Sequence, residues 1–446
     1  MTALPSDRLR VHAQRRHDLL ARLDGSTCVV IAATPVTIRN SDVEHAFRQD
    51  SDLMYLTGFV EPETVMVLAP RHKEHRFVLF VRPRDPERET WDGLRAGVEG
   101  AKERYGADAA FPIAELESRL PDYLGGHRRL AYAVGRFPGN DARIFAALHT
   151  ARRRQRLGVL APSELVEPLA LHEQRLSKAP EELEAMRAAV RATAEGHAAA
   201  MRVARPGVNE QEVEAELLYA FKKHGAARAA YDSIVGSGRN ACILHYREND
   251  RRMEEGDLLL IDAGAEHAYY AADVTRTFPV SGRFTPAQRR LYDAVLKAQL
   301  EAIAMVKPGV TLEAVHEATV RSLTGAMLEL GLLTAVSADE AITKQLYKKF
   351  YPHRTSHWLG MDVHDVGRYF VEGPKGEAVP VALAPGQVLT IEPGLYVPAG
   401  SGAPPEYEDQ GVRIEDDVLV TEAGHDVLTH MIPKDAVELE RLLAAR

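Results

Sequence analysis

The stretch Gly256-Asp-Leu-Leu-Leu-Ile-Asp262-Ala-Gly264 recurs as Gly386-Gln-Val-Leu-Thr-Ile-Glu392-Pro-Gly394, with turn glycine, apolar run, acid and closing glycine in register. A short apolar run bounded by glycines reads as a buried strand. In both copies the strand finishes on a carboxylate. Upstream of each copy lies a second echo, Arg205-Pro-Gly-Val-Asn-Glu-Gln-Glu-Val213 and Lys307-Pro-Gly-Val-Thr-Leu-Glu-Ala-Val315. Asn209 and Glu212 stand at capping-box spacing, and Thr311 is a suitable helix cap. Each copy therefore reads helix, Pro-Gly-Val turn, helix, strand with a terminal acid, and second strand. Two such halves related by a pseudo-two-fold axis would bring their acid-bearing strand ends face to face, with a site between them.

The acids carry the chemistry. An unpaired charge at the end of a buried strand is strongly unfavourable, so Asp262 requires a positive partner. Asp273 follows in YYAADVTRTFPV, after a hairpin turn read around Glu266 to Tyr269, and Glu415 lies mid-strand in GVRIEDDVLV. Any one of these alone could cap a turn or pair with Arg276. Asp262, Asp273, Glu392 and Glu415 together have one economical explanation, cations between them. Four carboxylates can bind two divalent ions if some of them bridge, and with an imidazole they suit Mn²⁺, Co²⁺ or Zn²⁺. The imidazoles on offer are His353, His357 and His364 in YPHRTSHWLGMDVHDVG, with His245 in ACILHYREN. On these residues alone the chain reads as a dinuclear metal hydrolase.

The rest of the chain sets limits. At 446 residues it exceeds the roughly 150-residue domain several-fold. Residues 6–23 have helical apolar spacing, and the β-rich runs CVVIAA, TVMVLAP and RFVLFV follow, with a helical pattern in IAELESRLPDYL. This is an α/β domain over residues 1–175. An Ala-rich helix from Pro180 to about Ala204 opens the second domain, residues 176–446. With 55 Lys and Arg against 64 Asp and Glu the net charge is -9, which argues against nucleic acid and anionic membrane as partners. Two cysteines, Cys28 and Cys242, rule out a disulfide framework and a thiolate-rich metal site, and fit a reducing compartment. No leader-like apolar segment and no run of about 18 apolar residues is present, so the expected location is the cytoplasm.

IDAGAEHAYYAADVTRTFPVSGRFT, SHWLGMDVHDVG, LTIEPGLYVP and VRIEDDVLV together resemble the pita-bread metallopeptidase family, in its aminopeptidase P (Xaa-Pro aminopeptidase) group. RNSDVEHAFRQDSDLMYLTGFVEPETVMVLAP, residues 39–70, is similar to the N-terminal domain of that group, so the resemblance spans nearly the whole chain. It implies an α/β (α+β) architecture: a C-terminal pita-bread fold with pseudo-two-fold duplication, preceded by a smaller creatinase-like α/β domain serving substrate access and oligomerisation. Asp262, Asp273, His357, Glu392 and Glu415 match all five metal-ligand positions, with Asp273 and Glu415 between the two ions. Manganese is the ion the resemblance implies, and the ligand types also suit cobalt or zinc.

The implied reaction is hydrolysis of the bond between an N-terminal residue and a following proline, by a hydroxide bridging the two ions. Glu392 would carry the water's proton to the leaving nitrogen, and His245 and His364 would hydrogen-bond the substrate around the scissile bond. His353, Tyr396 and Arg413 match positions that resemble the proline pocket. The resemblance also places Trp91, in TWDGLRAG, at a neighbouring subunit's active site in a homodimer or homotetramer; the alternative is that it packs its own domain. Trp358 is expected to pack beneath His357. Prolidase, a dipeptidase with the same ligands, is the nearest rival, although SHWLG and ADVTRTFPV read closer to aminopeptidase P. Methionine aminopeptidase leaves the first 170 or so residues unexplained, and creatinase and the non-catalytic peptide-binding modules need no complete ligand set.

Overall fold

The apolar runs of the N-terminal half form one six-stranded sheet in the computed structural model, which describes residues 6–446. Its order is Ala109–Pro112, Phe77–Val81, Val65–Leu68, Thr27–Ala32, Arg129–Ala131 and Glu164–Val166. The central pairings are antiparallel and the outer ones parallel. Every residue of the three central strands is buried, which is why they read as continuous β-branched and aromatic runs rather than alternating ones. Val30, Val67, Val78 and Phe80 pack with Leu120 and Leu124 of helix Leu116–Leu124 and with Ile144 and Leu148 of helix Pro138–Arg153. The leading helix is Ser6–Arg22. Helix Pro86–Asp92 buries none of its residues, and its Trp91 is 86% exposed, so this indole does not pack its own domain.

The chain divides between Gln174 and Arg175 into two compact units. In the second unit the duplication is visible in the backbone. Gly207 and Gly309 of the two Pro-Gly-Val turns have φ of 90° and 88°. Their amides donate to equivalent carbonyls, those of Met253 (2.8 Å) and Leu383 (2.9 Å), each three residues before the next repeat glycine. Those glycines, Gly256 and Gly386, have φ of 88° and 86°, a conformation that only glycine adopts readily. Helices Glu210–Lys223 and Leu312–Glu329 follow the turns and are capped as their sequences require: Asn209 accepts from the Gln211 amide within a capping box, and Thr311 accepts from the Ala314 amide.

Each repeat strand then pairs antiparallel with a later one, Leu258–Asp262 with Thr275–Pro279 and Val388–Ile391 with Asp416–Val420. The two registers make Thr275 the counterpart of Glu415 and Arg276 the counterpart of Asp416. These counterparts touch. The Glu415 amide donates to the Thr275 carbonyl at 3.1 Å, and Arg276 pairs with Asp416 at 2.8 Å with both side chains fully buried. The pseudo-two-fold axis thus passes between the hairpins, and the strand ends meet there. A large core flanks them, in which Leu259, Ile261 and Phe278 of the first hairpin join Tyr292, Tyr351, Leu395 and Ile414.

Candidate metal centre

The carboxylates stand where strands break off. Asp262 is the last residue of its strand and Glu392 immediately follows Val388–Ile391. Asp273 lies between Tyr270–Ala271 and Thr275–Pro279, and Glu415 between Gln410–Arg413 and Asp416–Val420. Glu415 is therefore not mid-strand, as its sequence surroundings indicated. The chain changes partner there, leaving Gly394–Val397 for Val388–Ile391. At Asp273 it makes the corresponding change, from Ala265–His267 to Leu258–Asp262. A break in the ladder releases these residues from strict alternation, so that they can face the axis.

There the side chains converge. Asp273, His357 and Glu415 each offer a ligand atom within 4.8 Å of the others. His357 Nε2 lies 3.4 Å from Asp273 Oδ2 and 3.6 Å from Glu392 Oε1. Asp262 joins through Tyr231, whose hydroxyl is 2.5 Å from Asp262 Oδ1 and 2.6 Å from Asp273 Oδ1. The His357 ring is oriented by Nδ1–H donating to the Trp358 carbonyl at 3.0 Å, which leaves Nε2 free to ligate. The backbone here is stitched to the second repeat strand, the Thr390 amide donating to the His357 carbonyl at 3.0 Å. Trp358 is fully buried with Leu389 and Ile391.

Electrostatics make this donor set suit divalent cations. Burial raises the carboxyl of Glu415 well above the usual range, and the negative charges of Asp273, Glu392 and Asp262 raise it further. Burial likewise raises Glu392 to about 7 against the pull of His357 and Arg413, and raises Asp262 against that of Arg413. His357 is disfavoured as a cation by burial, yet Asp273 and Glu392 bring it up to about 9. Arg413 and His357 offset only part of the negative charge of four carboxylates held this close. Hard oxygen donors around one imidazole are what Mn²⁺, Co²⁺ or Zn²⁺ would take, and the set has no thiolate.

Of the remaining residues singled out from the sequence, Trp91 belongs to the first unit, and those of the second surround this cluster. His353 accepts from the Tyr396 hydroxyl at Nε2 (2.8 Å) and donates from Nδ1 to the Arg354 carbonyl (2.8 Å), and Nδ1 is 3.7 Å from Glu392. Burial and Arg413 lower its pKa to about 3, so it is neutral. His364 is exposed and stands edge-on to His357, ring centroids 4.4 Å apart. His245 is exposed too, near enough for its charge to depress His353 and His364. Arg413, expected at a proline pocket, turns its guanidinium onto the chain itself: Asp262 at 2.6 Å, the Tyr396 hydroxyl at 2.9 Å and Thr275 Oγ1 at 3.1 Å.

Sequence reasoning missed two residues. Thr275 donates from Oγ1 to Glu415 Oε2 at 2.7 Å, and Tyr231 joins the two aspartates. Tyr231 sits just before strand Ile234–Ser237, whose Ile234 pairs with Asp262. Only that long-range register brings it to the site, and no local pattern marks it.

Known proteins resemble this chain along nearly its whole length. The model for metallopeptidase family M24 matches residues 184–422, and that for the aminopeptidase P N-terminal domain matches residues 12–132. The Xaa-Pro aminopeptidase of Escherichia coli K12 is 41% identical, covering 97% of each chain. A solved aminopeptidase of Pseudomonas aeruginosa superposes with a TM-score of 0.93 at 48% identity, over 100% of this chain and 99% of that one. Zinc-substituted Escherichia coli aminopeptidase P in complex with product gives 0.92 at 39%, over 100% and 99%. With its carboxylates and histidine gathered at the axis of a duplicated domain, and with these matches along its length, the chain belongs to metallopeptidase family M24.

Proposed function

We propose that this protein is an Xaa-Pro aminopeptidase, a hydrolase that removes the N-terminal residue from peptides with proline in second position. The observation that carries the reading is the Asp273, His357 and Glu415 cluster, its two carboxylates buried, flanked by Asp262 and Glu392, in a chain of this family. We assign these five residues as ligands of two divalent ions, manganese foremost. Such ions supply Lewis acidity and make a water acidic enough to attack near neutral pH.

The protein's own groups do the rest. Glu392 is the most open of the four carboxylates, its side chain 18% exposed against 13% for Asp262 and 6% for Asp273, with Glu415 buried. That openness supports a role for it in taking a proton from water and returning it to the leaving nitrogen. His364 and His245, exposed beside the cluster, are the donors for the scissile carbonyl and the departing amine. An Xaa-Pro bond is a tertiary amide without an N–H. Tyr396 and His353, already satisfied by each other, offer ring surface to proline without seeking that hydrogen. Arg413 holds Asp262 and the Tyr396 hydroxyl in place.

Trp91 is exposed and has no role in its own unit, and we assign it to a contact with a second copy in a homodimer or homotetramer. Both cysteines are free, which supports a reducing, cytoplasmic location, and no helix of the described residues is long and apolar enough to cross a membrane.

The test is an assay of an Xaa-Pro-Xaa tripeptide beside the dipeptide Xaa-Pro, with and without divalent ions. Cleavage of the tripeptide, abolished by a chelator and by Glu392→Ala, is the expected result. Exclusive dipeptide cleavage would make the enzyme a prolidase, and activity that survives complete removal of metal would overturn the ligand assignment.

A further inference from the structure

His357 and His364 lie on one segment, residues 357–367, that forms neither helix nor strand. Its conformation must be held by side chains and isolated backbone bonds. The half carrying His357 is tied to the second repeat strand, through the Thr390 amide and the pairing of Trp358 with Leu389. The half carrying His364 is joined to it where the Asp365 amide donates to the Trp358 carbonyl at 2.9 Å, and it has a second anchor of its own. Asp365, the next residue, is buried, and its two carboxylate oxygens are held separately: Oδ1 accepts from Arg175 Nη2 at 2.6 Å and Oδ2 from Lys178 Nζ at 2.9 Å. All three side chains are 1% exposed. Arg175 Nη2 also reaches Asp362 Oδ2 at 3.0 Å.

The cations are themselves fixed. Lys178 precedes helix Pro180–Val203, and its amide donates to the carbonyl of the repeat glycine Gly386 at 2.8 Å. The cluster also packs directly on Gly360. A Cβ there would come within 2.1 Å of Asp365 Oδ2 and 2.8 Å of Lys178 Nζ. The carbonyl of Gly360 meanwhile accepts from the Ala271 amide at 2.9 Å, two residues before Asp273. Two buried cations so placed cannot merely solubilise a surface. A buried ion pair adds little net stability compared with an apolar replacement, and its best-attested use is to fix one arrangement among several.

We propose that Arg175 and Lys178 are positioning residues that, through Asp365, hold the His364 imidazole at the scissile bond. The inference rests on the reading of His364 given above. His364 is exposed and makes no hydrogen bond of its own among the described residues, so its backbone anchor is what determines where the ring stands. Releasing one oxygen of Asp365 lets the loop turn at its His364 end, while His357, tied to Thr390, stays in place.

The experiment uses the metal-loaded, full-length enzyme and compares Lys178→Met, His364→Ala and the double variant, with Lys178→Arg as the conservative replacement. A misplacement of about 1 Å can cost on the order of 100-fold in rate. The expected result is a loss approaching that size in kcat for Lys178→Met, with metal content and substrate KM unchanged and partial rescue in Lys178→Arg. In the His364→Ala background the same change should cost no more than about twofold, because the group it positions is gone. Penalties that multiply in the double variant, or loss of metal in Lys178→Met, would overturn the positioning role while leaving His364 in its assigned place. Wild-type turnover in His364→Ala would overturn the reading of His364 itself, and the positioning role with it. Should Lys178→Met fail to fold, Lys178→Gln, which keeps a polar group in reach of Asp365, enters the same cycle and is judged by the same outcomes.

Discussion

Replacing Tyr231 by phenylalanine removes one hydroxyl and nothing else from the metal centre. That oxygen lies 2.5 Å from Asp262 and 2.6 Å from Asp273, and burial together with these carboxylates pushes its pKa well up, so it remains a donor. A phenol has one proton to give. It can satisfy one aspartate at a time and must share the other's charge with a neighbouring proton or cation. A hydrogen bond to a charged group contributes about 1.5 to 3 kcal/mol, and losing an orienting partner of a metal ligand weakens metal affinity about 10- to 100-fold, or about 1.4 to 2.7 kcal/mol. The two routes agree. Tyr231→Phe should therefore bind divalent ions 10- to 100-fold more weakly, read by competition with a chromophoric chelator. Phenylalanine fills nearly the same space, so urea unfolding of the metal-free protein should move by about 1 kcal/mol at most. A metal affinity within threefold of wild type would refute the reasoning.

Three further outcomes follow from the packing. A Cβ on Gly264 would stand 1.7 Å from the Ala272 carbonyl oxygen, which is backbone and cannot swing away, so Gly264→Ala should destabilise by about 3 kcal/mol or more and lower the melting temperature; an unchanged melting curve would contradict it. Arg276→Met leaves Asp416 buried with only Lys434, Gln299 and Thr429, and should cost about 3 to 5 kcal/mol in urea unfolding, with Asp416→Asn recovering part of the loss in the same background. His197, buried with Nε2 on the Ala263 carbonyl, has its pKa lowered by burial from 6.5 to about 4. The unfolded chain binds that proton first, so this contribution is complete above pH 6.5 and is lost as pH falls towards 4, by up to about 3 kcal/mol. Unfolding of wild type and His197→Gln at pH 7.5 and 4.5 should differ in pH dependence by that amount, and equal slopes would refute it.

How much of this was readable before folding depends on how local each feature is. The repeat glycines, the caps at Asn209 and Thr311 and the buried strands are short-range devices, and all appear where their patterns put them. The acids could be singled out because a carboxylate closing an apolar run is locally incongruous. Their grouping with His357, however, came from family resemblance and not from spacing. Glu415 reads as mid-strand in the sequence because a change of pairing partner is decided by other strands. Arg413 likewise reads as an isolated cation until the fold presents Asp262 to it. Tyr231 was invisible because its neighbour in space is set by the register of Ile234 against Asp262.

The meeting of Arg276 with Asp416, and of Thr275 with Glu415, bears on how such a domain can arise. In a symmetric homodimer of half-length chains, each residue on the dyad faces a copy of itself. Arginine would meet arginine there, and glutamate would meet glutamate. Neither complementary contact is available to identical halves. They become possible once the two copies differ in sequence, as the two halves of this chain do. The asymmetry on which the centre depends, an arginine on one side and an acid on the other, is thus a property of diverged halves that no symmetric assembly of identical ones could reproduce.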